Sequence, residues 1–199
     1  FQVALICHPK SELKKRAQAE QIPIRSLSLS KFSYLNPLKR LALGKILTDI
    51  KADRIIMNGS TDLKLGAPVA FKHGLRKIIY RRGLAKAPNP SYRNKKIAHI
   101  YCSDIICNSA ETQSLIQKSW QFKKGDKKLH VLYNSVPATN VINQNKGEKL
   151  VLVNASRFSA QKGHQYLIEV TEILKSKGLD FKILLAGKGE LESKIKAEV

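Results

Sequence analysis

Short apolar runs alternate with longer stretches of mixed apolar and charged residues along the whole chain. Residues 1–7, 22–29, 54–57, 77–81, 104–107 and 129–132 are rich in β-branched and aliphatic side chains and read as strands. Between them, residues 11–19, 37–50, 63–73, 91–101 and 110–120 carry helical patterns. The punctuation agrees with these bounds. His8-Pro9 ends the first strand, and Ala-Pro-Asn-Pro at 87–90 is turn chemistry. Asn108 or Ser109 stands as an N-cap with Glu111 near the third helical position. Pro68 predicts a break or a start within the 63–73 helix. Strands that alternate with helices predict an α/β fold with a mainly parallel sheet.

The pattern is most regular over residues 149–192. Residues 149–154 read as a buried strand, and a loop with Arg157 and Lys162 follows. Tyr166, Leu167, Val170, Ile173 and Leu174 then fall on one apolar helical face. Lys175, Lys177 and Gly178 give a cationic last turn and a C-cap. Residues 181–186 read as a second buried strand, ending in Gly187-Lys188-Gly189. This βαβ unit predicts parallel pairing of its two strands. Arg157 and Lys162 sit at a strand's carboxyl end before a helix N-terminus, where doubly wound sheets take ligands and backbone N–H groups favour anions. The Gly-x-Gly lets a ligand approach the backbone closely. The residues alone leave a second reading open, a Rossmann-like scaffold with two solvated cations.

Charge adds a partner class. The chain has 199 residues, 43% of them hydrophobic, and a net charge of +21. Residues 1–140 hold 26 Lys and Arg against 8 Asp and Glu, a net +18, while residues 141–199 hold 10 against 7. The surplus in the first segment implies an anionic partner: nucleic acid, anionic lipid or a phosphorylated glycan. Cys7, Cys102 and Cys107 are odd in number and form no Cys-x-x-Cys, which points to buried reduced thiols rather than a disulfide framework or a zinc site. His73, His99 and His130 have no ligand spacing, and His164 reads as an early-helix residue. No Gly-x-Ser-x-Gly, His-Glu-x-x-His or Walker pattern occurs, which weakens hydrolase, metalloprotease and NTPase readings. Tyr34, Tyr80, Tyr92 and Tyr101 lie among cations, but no RNA-binding motif accompanies them, so no specific nucleic acid is expected. With no signal peptide and no apolar run of spanning length, the expected location is cytoplasmic, or peripheral on the inner face of the cell membrane.

The run S-R-F-S-A-Q-K-G-H, an apolar helix and then L-L-A-G-K-G-E-L resembles the donor-binding half of the GT-B glycosyltransferases, specifically the retaining family 4. The segment S-D-I-I-C-N-S-A-E at 103–111, I-I-Y-R-R-G-L at 78–84 and Y-N-S-V-P at 133–137 also look like landmarks of that family. The resemblance covers residues 50–199 by motif and 1–50 by pattern. It implies two Rossmann-like lobes, the second only partly present. Residues 1–138 would form the acceptor-side lobe, with a first strand and Gly-rich loop missing. Residues 139–148 would be the linker, and residues 139–199 would begin the nucleotide-sugar-binding lobe. Arg157 and Lys162 match the family's cations that grip the donor diphosphate, while Ser156 stands where the family has Gly. Gly187 and Gly189 match its donor-site glycines.

Retaining transfer of a sugar from a nucleotide-sugar to a glycan or glycolipid is the implied activity, in bacterial cell-envelope polysaccharide or lipopolysaccharide synthesis and without a metal or other cofactor. Fixed cations can stabilise the leaving diphosphate in place of a metal. Tyr80-Arg81-Arg82-Gly83 stands where many members carry a His, and Arg82 is either an ordinary loop cation or a candidate for holding an acceptor phosphate. The family's paired glutamates lie beyond Val199, and the eight-residue spacing of Glu190 and Glu198 is coincidental. The 199-residue chain alone is therefore expected to be inactive. The alternative is a non-catalytic Rossmann-like module that binds an anionic polymer.

Overall fold

In a computed structural model, residues 2–136, 138 and 150–198 are described. They divide into two compact units, one spanning Phe1–Val136 and the other Pro137–Val199. The predicted linker, residues 139–148, lies outside the described residues.

The first unit builds a four-stranded sheet from β3 (Arg54–Met57), β4 (Lys77–Arg82), β5 (Asp104–Cys107) and β6 (Leu129–Val131), in that order and all parallel. A separate parallel pair joins β1 (Leu5–Cys7) to β2 (Ile24–Ser26) through α1 (Glu12–Ala19). The remaining helices are α2 (Pro37–Asp49), preceded by a 3₁₀ turn at Ser33–Leu35, α3 (Ser60–Lys72), α4 (Tyr92–Tyr101) and α5 (Ala110–Trp120). Ser109 is the cap of α5, its Oγ accepting from Thr112 N at 3.1 Å. Asn36 accepts from Leu38 N and Lys39 N to start α2.

Alternation along the strands places Met57, Ile78, Tyr80, Ile105 and Cys107 in the core with Leu63, Ala67, Ala70, Ile116 and Trp120 from the helices. Each large side chain so buried contributes about 1.5–3 kcal/mol of transfer free energy. Tyr80 and Trp120 meet with ring centroids 5.8 Å apart. The opposite face of this sheet is different: it presents Arg54, Lys77, Asp104 and His130 beside the half-buried Ile79 and Ile106.

Two local expectations change. Residues 22–29 give only the three-residue strand Ile24–Ser26. Pro68 neither breaks nor starts α3, which runs unbroken through it from Ser60. The proline forfeits one intrahelical bond, but Leu63, Leu65, Ala67, Val69 and Ala70 all bury, and their burial outweighs that loss.

The second unit contains β7 (Leu150–Ala155), α6 (His164–Ser176), β8 (Phe181–Ala186) and α7 (Glu192–Glu198). Its two strands pair in parallel from Leu150↔Phe181 to Ala155↔Ala186. The strands are not buried as the sequence suggested. Both alternate between half-buried and exposed, with Val151, Val153 and Leu184 open, and the apolar stripe of α6 leaves Tyr166, Val170 and Ile173 exposed. A β-branched run marks a strand that could be covered on both faces, and here only one face of a two-stranded sheet is partly covered.

Candidate functional site

The chain leaves β7 through Ser156 and Arg157, makes a 3₁₀ turn at Ala160–Lys162 and enters α6 through Gly163. Gly163 has φ 66°, a left-handed conformation that glycine adopts without a Cβ penalty. Among the described residues no side chain caps α6; Tyr166 N donates to Gly163 O at 3.0 Å, and the positive end of the helix faces this loop. Arg157 and Lys162 both leave this loop, and both are exposed. Among the described residues neither forms an ion pair. The sequence placed them together at a strand's carboxyl end, and the structure has them there.

The loop is fixed from below. Ser156 N donates to Ala186 O and Phe158 N to Lys188 O, both at 3.0 Å, while Phe158 O accepts from Leu191 N at 3.1 Å. Phe158 is buried and meets the His164 ring edge-on at 5.0 Å. Ser156 Oγ donates to Asn154 Oδ1 at 2.8 Å. With that proton committed, its contact to His164 Nε2 at 3.2 Å has the imidazole as donor. His164 is 1% exposed, and its Nδ1 is buried without a partner among the described residues. The sequence reading did not find the Asn154–Ser156–His164 chain. Its one signal was the serine standing where glycine is usual.

Gly187 and Gly189 lie beside the same loop and pack closely against it. A Cβ on Gly187 would stand 1.9 Å from Ser156 O, and one on Gly189 would stand 2.2 Å from Phe158 O. The space opposite each missing side chain is filled by the chain's own backbone. The two glycines let the cation-bearing loop pack against the turn after β8.

In the first unit, Arg82 ends β4. Its Nη2 donates to Lys86 O at 2.7 Å, and its buried Nε has no partner among the described residues. Burial raises the Tyr80 hydroxyl's pKa, and a hydrogen bond from Arg82 partly offsets that. Burial likewise pushes the Cys107 thiol up to about 11 against the pull of the Arg82 charge, and the Cys102 thiol up to about 12. Arg82 therefore spends one arm of its guanidinium on the loop that follows β4. The neighbouring Arg81 was not singled out by sequence. Its Nη2 donates to Asn134 Oδ1 at 2.8 Å, and the two line a shallow hollow with Leu132, Tyr133 and Ser135. The loop after β4 is held at Asn89, whose carbonyl accepts from Trp120 Nε1 at 3.1 Å and from Asn94 Nδ2 at 3.4 Å.

The scattered histidines do packing work. His99 Nε2 lies 2.8 Å from Trp120 O and its ring stacks on Phe122, while His130 meets Asp104 at 2.9 Å. Among the described residues no helix is long and apolar enough to cross a membrane.

No protein-family model and no curated protein matches this chain. Solved structures do. A glycosyltransferase from Rickettsia africae superposes with a TM-score of 0.74 at 16% identity, over 97% of this chain and 55% of that one. HepE of Anabaena, solved in complex with UDP, gives 0.66 at 17% identity, over 98% of this chain and 64% of that one. The lipopolysaccharide outer core galactosyltransferase WaaB gives 0.58 at 14% identity, over 100% and 64%. The chain thus spans less than two-thirds of the length of each. Likeness at these identities shows the fold, which is α/β with parallel sheets of the Rossmann-like GT-B kind.

Proposed function

We propose that the chain is part of a retaining GT-B glycosyltransferase that moves a hexosyl group from a nucleotide-sugar to a glycan or glycolipid. The setting would be bacterial cell-envelope polysaccharide or lipopolysaccharide assembly at the cytoplasmic face of the membrane. The observation that carries the reading is the loop between β7 and α6. It offers two exposed cations that form no ion pair among the described residues, beside the N-terminus of α6, on a backbone pinned by Gly187 and Gly189. The fold neighbours add weight, since HepE was solved with UDP and WaaB is a galactosyltransferase of lipopolysaccharide outer core.

In this reading Arg157 and Lys162 flank the donor diphosphate, Arg157 by its planar fork and Lys162 as a point charge. The bond from the anomeric carbon to the diphosphate oxygen breaks, and its electron pair leaves on the diphosphate. The acceptor hydroxyl oxygen bonds to that carbon on the same face, and its proton passes to the departing diphosphate oxygen. Charge on the diphosphate grows as the sugar leaves, so each cation contributes more to the transition state than to the ground state. The chain's own cations neutralise that charge, with no metal assigned. The +18 first segment suits an anionic acceptor, and Arg81 with Asn134 offers polar groups for one.

The test is Arg157→Ala and Lys162→Ala in the full-length protein. Each is expected to weaken nucleoside-diphosphate binding by calorimetry and to raise the barrier to turnover by about 2.7–4 kcal/mol, as for loss of an oxyanion-hole donor. Arg157→Lys is expected to rescue only in part. Wild-type affinity and turnover in both alanine variants would make these cations ordinary surface charges.

A further inference from the structure

Four large apolar side chains recur at every third residue over 32–41: Phe32, Leu35, Leu38 and Leu41. All four are 61–72% exposed. Phe32 and Leu35 flank a 3₁₀ turn, in which residues three apart eclipse, and Leu38 and Leu41 are neighbours on the outer side of α2. The inner side of the same segment is anchored. Ser33 is buried with its Oγ accepting from Ser30 N at 2.7 Å, and Leu43 and Leu47 enter the core. Tyr34 lies between Lys64 of α3, 5.5 Å from its ring centre, and Arg93 of α4, 4.8 Å from it. The outward apolar residues therefore sit on a rigid base.

Cations surround them. Lys31 lies 5.6 Å over the Phe32 ring, and Arg40 and Lys45 are exposed on α2. The sequence contains no Asp or Glu at all from residue 21 to 48, nor from 63 to 103. We infer that this face is an interfacial docking surface for an anionic lipid bilayer. Phe32, Leu35, Leu38 and Leu41 enter the boundary of the acyl chains, and Lys31, Arg40 and Lys45 take the headgroups. The pairing of chemistries selects this occupant. Nucleic acid would use the cations but offers nothing to aliphatic leucines. A second copy of the chain would bring two positive faces together. The inference goes beyond the transferase reading and stands on this surface alone. It is measured without donor or turnover, so loss of nucleoside-diphosphate binding leaves it untouched.

The test is co-sedimentation of the chain with vesicles of phosphatidylcholine, or of phosphatidylcholine with about one-third phosphatidylglycerol. The expected result is binding to the anionic vesicles that falls with salt and little binding to the neutral ones. The double variant L38S/L41S should lower the partition coefficient by about tenfold or more, since both exposed leucines forfeit their apolar transfer. It should keep the wild-type circular dichroism, because neither side chain packs in the core. R40S/K45S should lower anionic binding and flatten its salt dependence. Binding of L38S/L41S equal to wild type would overturn the inference, as would equal binding to both vesicles. A concentration-dependent dimer abolished by L38S/L41S, without vesicle binding, would also overturn it and assign the face to a second copy.

Discussion

Adding one methyl group at Gly189 tests whether the cation-bearing loop is held by close backbone packing. A Cβ there would stand 2.2 Å from Phe158 O, 2.7 Å from Phe158 C and 2.9 Å from Phe158 N, all backbone atoms. Clearing even a 3.0 Å contact requires the loop to move by about 0.8 Å at Phe158. At Gly187 the same reasoning gives about 1.1 Å at Ser156, from 1.9 Å. The bonds from Phe158 N to Lys188 O and from Ser156 N to Ala186 O start at 3.0 Å, so a displacement of this size breaks or severely weakens them. Overpacking at about 1–3 kcal/mol and a lost hydrogen bond at about 1 kcal/mol give a cost of about 2–4 kcal/mol for either alanine variant.

Hydrogen-exchange mass spectrometry on peptides from residues 150–160 and 181–191 reads this directly. Exchange in both should rise in Gly189→Ala and Gly187→Ala. The single tryptophan, Trp120, belongs to the first unit, so its fluorescence transition should stay near wild type and serve as the internal control. In the full-length protein, displacing Arg157 by about 1 Å is enough to cost up to about a hundredfold in turnover. Unchanged exchange together with unchanged nucleoside-diphosphate affinity in both variants would refute the packing argument.

Two further predictions concern titratable groups. Cys102 and Cys107, with thiols pushed up to about 12 and about 11 by burial, should resist a thiol reagent at pH 8 in the native state, where on the order of one Cys102 in ten thousand is ionised. All three cysteines should react after unfolding in guanidinium, and rapid native labelling of either one would contradict the burial. Partial burial pushes the Asp104 carboxyl up, but hydrogen bonds from Ser103 and His130 and the Lys77 charge outweigh it and hold the group below the usual carboxylate range. Its contribution to stability is therefore present above the unfolded value of about 3.9 and is lost as pH falls through the lower folded value. Thermal unfolding of Asp104→Asn should lie below wild type at pH 7, with the gap closing below about pH 4. A gap that persists at lower pH would point to packing instead.

The strands at 54–57 and 104–107 and the helix at 110–120 were legible because each run has its own punctuation, such as Cys107-Asn108-Ser109 before α5. The place of Arg157 and Lys162 was legible for the same reason, since a strand, a short loop and an amphipathic helix fix where a loop residue must stand. What neighbours do was not legible. Periodicity tells which face of α6 is apolar but not that Tyr166, Val170 and Ile173 stay exposed. A Gly-x-Gly announces close approach but not that Ser156 and Phe158 are what approaches. Arg82 looks in sequence like an open cation, and only the fold reveals that Lys86 O occupies one of its arms.

Every strand pairing among the described residues is parallel, and that shapes how the chain can be made. The paired residues Arg54 and Lys77, Ile79 and Asp104, Ile105 and Leu129, and Leu150 and Phe181 are all separated by more than twenty positions, and no hairpin offers an earlier local partner. At synthesis rates of about 5–20 residues per second, each new strand edge waits on the order of seconds for its neighbour to emerge. An apolar edge left open that long is a template for pairing between chains. The excess of positive charge, densest across the acid-free stretches of the first unit, sets nascent copies against one another during that wait. Charge-reversing the cations around Phe32–Leu41 would then do more than alter a surface, because it would also lower the barrier to aggregation during folding.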